Sequence, residues 1–182
     1  QSPLAIASKG QLQTIAAVVL FRQGVPWPEA EDRTRMAFQR VGVDLPLTDL
    51  IRPLGDVAGL FTGLRGSGVR VAIVTTDRRP DTERTLQILG VDHLVDYLVC
   101  GDDGLASKPA PDMLLAACKA LGVEPNRTAV VGDTVADLLM AQRAGAGCKA
   151  AVLTGAGNPV QLRAHADVVM GSMNDIPVER QA

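Results

Sequence analysis

Aromatic residues are scarce in this chain: 3% of 182 residues, with one Trp, one Tyr and three Phe. So few rings leave no platform on which nucleic-acid bases could stack. Charge of one sign is also lacking. Eighteen basic residues stand against 20 acidic ones, a net charge of -2 with no long run of either. That excludes the electrostatic footprint of a nucleic-acid binder or of a protein held on an anionic membrane. Cysteine occurs only at 100, 118 and 148, an odd number without CxxC spacing. A disulfide framework and a structural zinc site are therefore poor readings, and reduced, buried thiols in a cytoplasmic protein fit better. His93 and His165 stand alone and read as structural or surface groups. No apolar run approaches the roughly 20 residues that span a bilayer. The nearest, Leu12 to Phe21, places Leu12, Ile15, Ala16, Val19 and Leu20 at helical spacing behind Ser8 as a cap. It reads as an amphipathic helix and not as a signal peptide.

Common phosphate and nucleophile motifs are missing too. Gly63-Leu-Arg-Gly66-Ser-Gly68 has its glycines in the wrong order for a dinucleotide fingerprint. Gly145-Ala-Gly147-Cys-Lys149 lacks the spacing and the Ser/Thr of a P-loop, and no GxSxG elbow occurs.

What is present is enough for a core: 47% hydrophobic against 21% charged residues, in a length that suits one domain plus a small insertion. The first fifty residues read as all-helical. One helix spans Ser8 to Arg22 and ends at Gly24; a second starts with Pro28 in its first turn and runs to about Val41. Trp27 reads as a packing residue beside that turn. From residue 56 the pattern alternates. Helices are expected over 56–66, 81–89, 111–121, 134–144 and 159–164. Strands are expected over 69–75, 97–100, 128–131, 150–153 and 168–170. The expected fold class is α/β: a Rossmann-like parallel sheet core, residues 55–182, with an α-helical cap, residues 1–54. In such folds ligands sit at the carboxyl ends of the strands.

Three pieces fall at those ends. VAIVTTD puts Thr75 and Thr76 at a strand end, SKPAPD holds Lys108 between Ser107 and Pro109, and GDTVAD carries Asp133 and Asp137. Singly, each has a plain explanation: an ordinary threonine, a solvated lysine, helix-capping acids. Together they suggest a site. A hydroxyl and a backbone N–H can hold a phosphate oxygen, and an ammonium can neutralise phosphoryl charge. Two carboxylates can hold a hard divalent cation such as Mg²⁺, which takes one or two carboxylates plus waters and substrate oxygens.

Thr75, Lys108 and Gly132-Asp133-xxx-Asp137, in that order, resemble motifs two, three and four of the haloacid dehalogenase (HAD) superfamily. VTTD, KPAPD and VVGDTVADLLMAQRAGA are most similar to its phosphoglycolate phosphatase-like branch, over roughly residues 55 to 178. The helical front resembles the α-helical cap of those enzymes. The resemblance implies Thr75 as phosphate ligand with Thr76 beside it, Lys108 as charge neutraliser and Asp133 as Mg²⁺ ligand. It implies that Asp137 binds Mg²⁺ or orients its waters and Lys108. The implied activity is hydrolysis of a small phosphorylated metabolite through an aspartyl-phosphate, with no nucleic-acid or membrane partner. Arg22, Arg33, Arg35 and Arg40 are candidates to reach the substrate anion.

The family's first motif, DxDGT, is not among these residues. Asp102-Asp103-Gly104 has the wrong spacing and position. The strand that carries this motif lies, in the family, between the strands that end here at Thr75 and Asp133. Omitting one strand opens a gap of about 9.6 Å. The expectation is an N-terminal segment carrying the nucleophile, or else a segment of another chain in the slot. A non-catalytic phosphate-binding module and a HAD phosphomutase or dehalogenase stay open as alternatives.

Overall fold

A computed structural model describes residues 9–44 and 51–178. The expected Ser8 cap lies outside them. The described residues fall into two compact units that part between Arg52 and Pro53.

The first unit is a helix pair, α1 (Lys9–Arg22) and α2 (Trp27–Asp44). Its contact is built from small residues: Ala17 and Ala30 are fully buried, and Thr34 is buried with its hydroxyl donating to the Ala30 carbonyl at 2.9 Å. Phe21 meets Trp27 edge to face, ring centroids 6.0 Å apart. The face expected from α1's spacing is only partly right. Ile15 and Val19 are exposed, at 44% and 50%, and Ala17 is the residue buried. The segment is apolar on every side, so periodicity could not single out one face; the closest approach to α2 does.

The second unit alternates helix and strand: α3 (Val57–Gly66), β1 (Ala72–Val74), α4 (Arg79–Leu89), β2 (Tyr97–Val99), α5 (Asp112–Leu121), β3 (Ala129–Gly132), α6 (Val135–Ala144), β4 (Cys148–Val152), α7 (Pro159–His165) and β5 (Val168–Met170). Local signals set the boundaries. Asp56 caps α3 by accepting the Gly59 N–H at 2.8 Å. Gly145 closes α6 in the left-handed region at φ 76°, which suits glycine. β1 is shorter than its apolar run suggests. The Val71 N–H goes to the Asp96 carboxylate at 2.8 Å, and the ladder begins only at Ala72.

All pairings are parallel. β1 pairs with β2, in the register Ala72 opposite Tyr97, and β3–β4–β5 form a separate sheet, in the register Ala129 opposite Cys148 and Ala150 opposite Val168. Helix α5 joins the two sheets. Met113, Leu114, Ala117 and Cys118 pack with Val99 of β2 and with Met140 and Ala141 of α6. Val74 of β1 and Val130 of β3 lie against that same core. Thus β1 and β3 share a core but no ladder, and among the described residues each has one unpaired edge. In β3, Ala129 and Val131 are exposed, Val131 at 41%. One face of β3 packs on α5 and α6 while the other is uncovered.

Leu138 is fully buried among Ala151 and Leu162, whereas Leu115 is 41% exposed. Leu138→Ala should lower unfolding free energy by about 2–5 kcal/mol in urea titration, and Leu115→Ala by less than about 1 kcal/mol.

Candidate active site

The carboxyl ends of β1 and β3 meet through one lysine. Lys108 Nζ donates to the carbonyl of Val74, the last residue of β1, at 2.8 Å, and to Asp137 Oδ1 at 2.6 Å. Both side chains are largely buried, 14% and 10% exposed. A buried ion pair persists only where further hydrogen bonds satisfy its partners. Here they do. Asp137 Oδ2 accepts the Thr134 hydroxyl at 2.5 Å and the Thr134 N–H at 3.2 Å, and the Thr134 hydroxyl oxygen accepts the Asp137 N–H at 3.3 Å. This is a reciprocal capping box at the start of α6. Gly132 leaves room for it, since a β-carbon there would overlap the Asp137 side chain. Thr134, and not Asp133, is therefore the cap.

Asp133 is held differently. Its Oδ2 accepts the N–H of Ala156, in the loop after β4, at 2.9 Å. Gly155 permits the approach, because a β-carbon there would overlap the carboxylate. Oδ1 has no protein partner among the described residues. The donor chemistry suits a hard cation: Asp133 has one open carboxylate oxygen, while the second acid, Asp137, is already neutralised by Lys108. No group of three or more His, Cys, Asp or Glu side chains forms a closed metal cage among the described residues.

Thr75 sits one residue beyond the carbonyl that Lys108 grips, but its groups are engaged. Its N–H donates to the Val99 carbonyl at 2.9 Å, extending the β1–β2 ladder. Its hydroxyl donates to Asp77 Oδ2 at 3.0 Å and accepts the Asp77 N–H at 3.1 Å. The Thr76 N–H has no acceptor among the described residues and is the backbone donor left at this strand end.

The loop from β2 to Lys108 is tied to the Thr75 loop. Arg79 grips Asp103 with Nε at 3.2 Å from Oδ1 and Nη2 at 2.7 Å from Oδ2. The Cys100 N–H and, after it, this guanidinium hold the Asp103 carboxyl below the ordinary carboxylate range, and Asp103 raises the Arg79 guanidinium in turn. Burial pushes the Cys100 and Cys118 thiols up, so neither is an activated nucleophile. Of the arginines considered as anion ligands, Arg33 pairs with Glu29 and Arg35 with Asp32, both on α2 itself. Sequence reading missed Thr134, Asp77, Ala156 and the Arg79–Asp103 pair. Only the first had a visible signal, the Thr-x-x-Asp spacing of a capping box.

Two outcomes are expected. Lys108→Ala strands the Asp137 carboxylate and should cost about 3–5 kcal/mol in chemical denaturation. Asp103 titrates lower in the folded chain than its ordinary 3.8. Its contribution is therefore complete above that value and lost as pH falls through the lower folded value. The stability gap between wild type and Asp103→Asn should hold steady from about pH 7 to pH 5 and close below about pH 4.

A family description of haloacid dehalogenase-like hydrolases matches residues 5–145. Among curated relatives, the validoxylamine A 7'-phosphate phosphatase of Streptomyces hygroscopicus subsp. limoneus is 34% identical over 64% of this chain and 54% of its own length. The phosphoglycolate phosphatase of Escherichia coli strain K12 is 28% identical over 88% of this chain and 72% of its own. A solved HAD-superfamily hydrolase of subfamily IA from Geobacter sulfurreducens superposes with a TM-score of 0.65 at 22% identity, over 88% of this chain and 68% of that one. The chain spans about half the length of the first curated relatives it matches.

Proposed function

The chain belongs to the haloacid dehalogenase-like hydrolases, and on that premise we propose that it acts as a Mg²⁺-dependent phosphomonoester hydrolase. Its substrate is a small phosphorylated metabolite of the cytoplasm, cleaved through an aspartyl-phosphate. The observation that carries this reading is the Lys108 ammonium, held between the end of β1 and Asp137. A cation fixed at the carboxyl ends of parallel strands stabilises charge that develops on a transferring phosphoryl group without having to reorganise.

The roles follow from what each group has free. Lys108 carries three N–H donors, and two are taken by protein oxygens. The third serves a phosphoryl oxygen. The Thr76 N–H binds another, and the Thr75 hydroxyl a third when it turns from Asp77. Asp133 would hold Mg²⁺ through Oδ1, and Asp137, the counter-ion to Lys108, would orient its waters. When bound, Mg²⁺ neutralises phosphoryl charge as a Lewis acid. The aspartate nucleophile and the acid–base partner belong, in this reading, to a strand N-terminal to these residues that pairs into the slot between β1 and β3. Support comes from the two unpaired parallel edges and from the missing DxD. Residues 1–54 serve as the family's α-helical cap in this reading, a role in keeping with a separate helical unit.

The test is phosphate release from a panel of phosphomonoesters by the full-length protein, with Mg²⁺ and with EDTA. Metal-dependent turnover is expected, and Asp133→Ala should lower it by at least about a hundredfold while the fold is kept. Phosphate binding without turnover, in a full-length protein that carries no N-terminal DxD, would leave a non-catalytic binding module instead.

A further inference from the structure

Residues 100–111 cross from β2 to α5 without helix or strand, yet they deliver Lys108 to a buried position. A lysine side chain has a flexible four-carbon stem and loses rotamer freedom when fixed. An unladdered loop adds mobility of its own. Something must hold its backbone.

Two arginines hold it, one at each end. At the near end the Arg79 guanidinium takes Asp103 with two nitrogens and donates to the Leu98 carbonyl at 3.0 Å. The Arg79 N–H also donates to Asp102 Oδ1 at 2.8 Å. The same loop lies against the Thr76–Asp77 backbone, where the Gly101 N–H donates to the Asp77 carbonyl at 2.7 Å. At the far end Arg143 Nη1 donates to the Pro109 carbonyl at 3.0 Å, one residue past Lys108. Arg143 lies in the last turn of α6, and Asp137 lies in the first. One helix therefore holds Lys108 twice, by its ammonium and by the backbone that follows it.

We infer that Arg79 and Arg143 are positioning residues for Lys108: they grip the two ends of loop 100–111 and so fix where its ammonium falls, without touching the reacting atoms. The planar, forked guanidinium suits this task, since it makes several bonds from one rigid group. The catalytic consequence rests on the phosphatase reading; the placement of Lys108 does not.

The test measures both separately on the full-length protein, in Arg79→Ala, Arg79→Lys and Arg143→Ala. The first readout is site-resolved acylation by an amine-reactive reagent, followed by mass spectrometry. Lys108 should react about tenfold faster in each alanine variant. Lys149, paired with Asp167 at 2.8 Å, should keep its wild-type rate and thereby exclude global unfolding. Arg79→Lys keeps the charge but loses the fork, and should give an intermediate rise. The second readout is kinetic: kcat should fall about a hundredfold with KM little changed. Unchanged Lys108 acylation in folded alanine variants overturns the inference, whatever happens to Tm. If Arg79→Ala does not fold, Arg79→Lys and Arg143→Ala decide by the same acylation rate. Faster Lys108 acylation in a protein that hydrolyses no phosphate ester would sink the phosphatase reading and leave the positioning role standing.

Discussion

A positive charge buried at the seam between two sheets sets the terms for everything around it. An ammonium out of water costs several kcal/mol unless paired and hydrogen-bonded. Lys108 obtains that from the Val74 carbonyl and from Asp137. Asp137 in turn must have its second oxygen satisfied, and the Thr134 cap supplies this. The cap fixes where α6 starts, and Gly132 lets the helix start close against its own strand. So one charge ties the end of β1, the loop after β2 and the first turn of α6 into a single unit. Asp133 is left outside that network with an oxygen to spare.

Packing serves the same end. Helix α5 lies over both sheets, and its buried Met113, Leu114, Ala117 and Cys118 make one core with Val99, Met140 and Ala141. That core holds β1 and β3 at fixed positions although no ladder joins them. The elements that carry the site are thus positioned by side-chain packing from one face and by the lysine at the top. Precision at the site depends on both, because a core at crystal-like density transmits displacement instead of absorbing it.

Much of this was legible in the sequence. The alternation after residue 56 and the order Thr75, Lys108, Asp133, Asp137 are local patterns or follow from chain order, whereas the break between the strands near Thr75 and Asp133 came only from the family resemblance. What was not legible is long-range. Arg79 and Asp103 are 24 residues apart, and Arg143 and Pro109 are 34 apart; neither pair has a periodic signature. The Ala156 N–H that holds Asp133 is a backbone group, and any residue type supplies one. Val131 is apolar yet 41% exposed, because that face of β3 is uncovered among the described residues, which composition cannot report. The buried face of α1 was misjudged because apolar residues surround the whole helix.

The two unpaired edges have a polarity. β1 and β3 both end toward Lys108, so an extended segment that pairs parallel with both runs in the same direction as each of them. Its last residues would then arrive beside Thr75 and Asp133, and its first residues at the opposite rim. A segment offered backwards would pair antiparallel on both sides and carry its first residues to Lys108 instead. Chain direction alone therefore acts as an address label, sorting which end of any incoming strand is handed to the lysine.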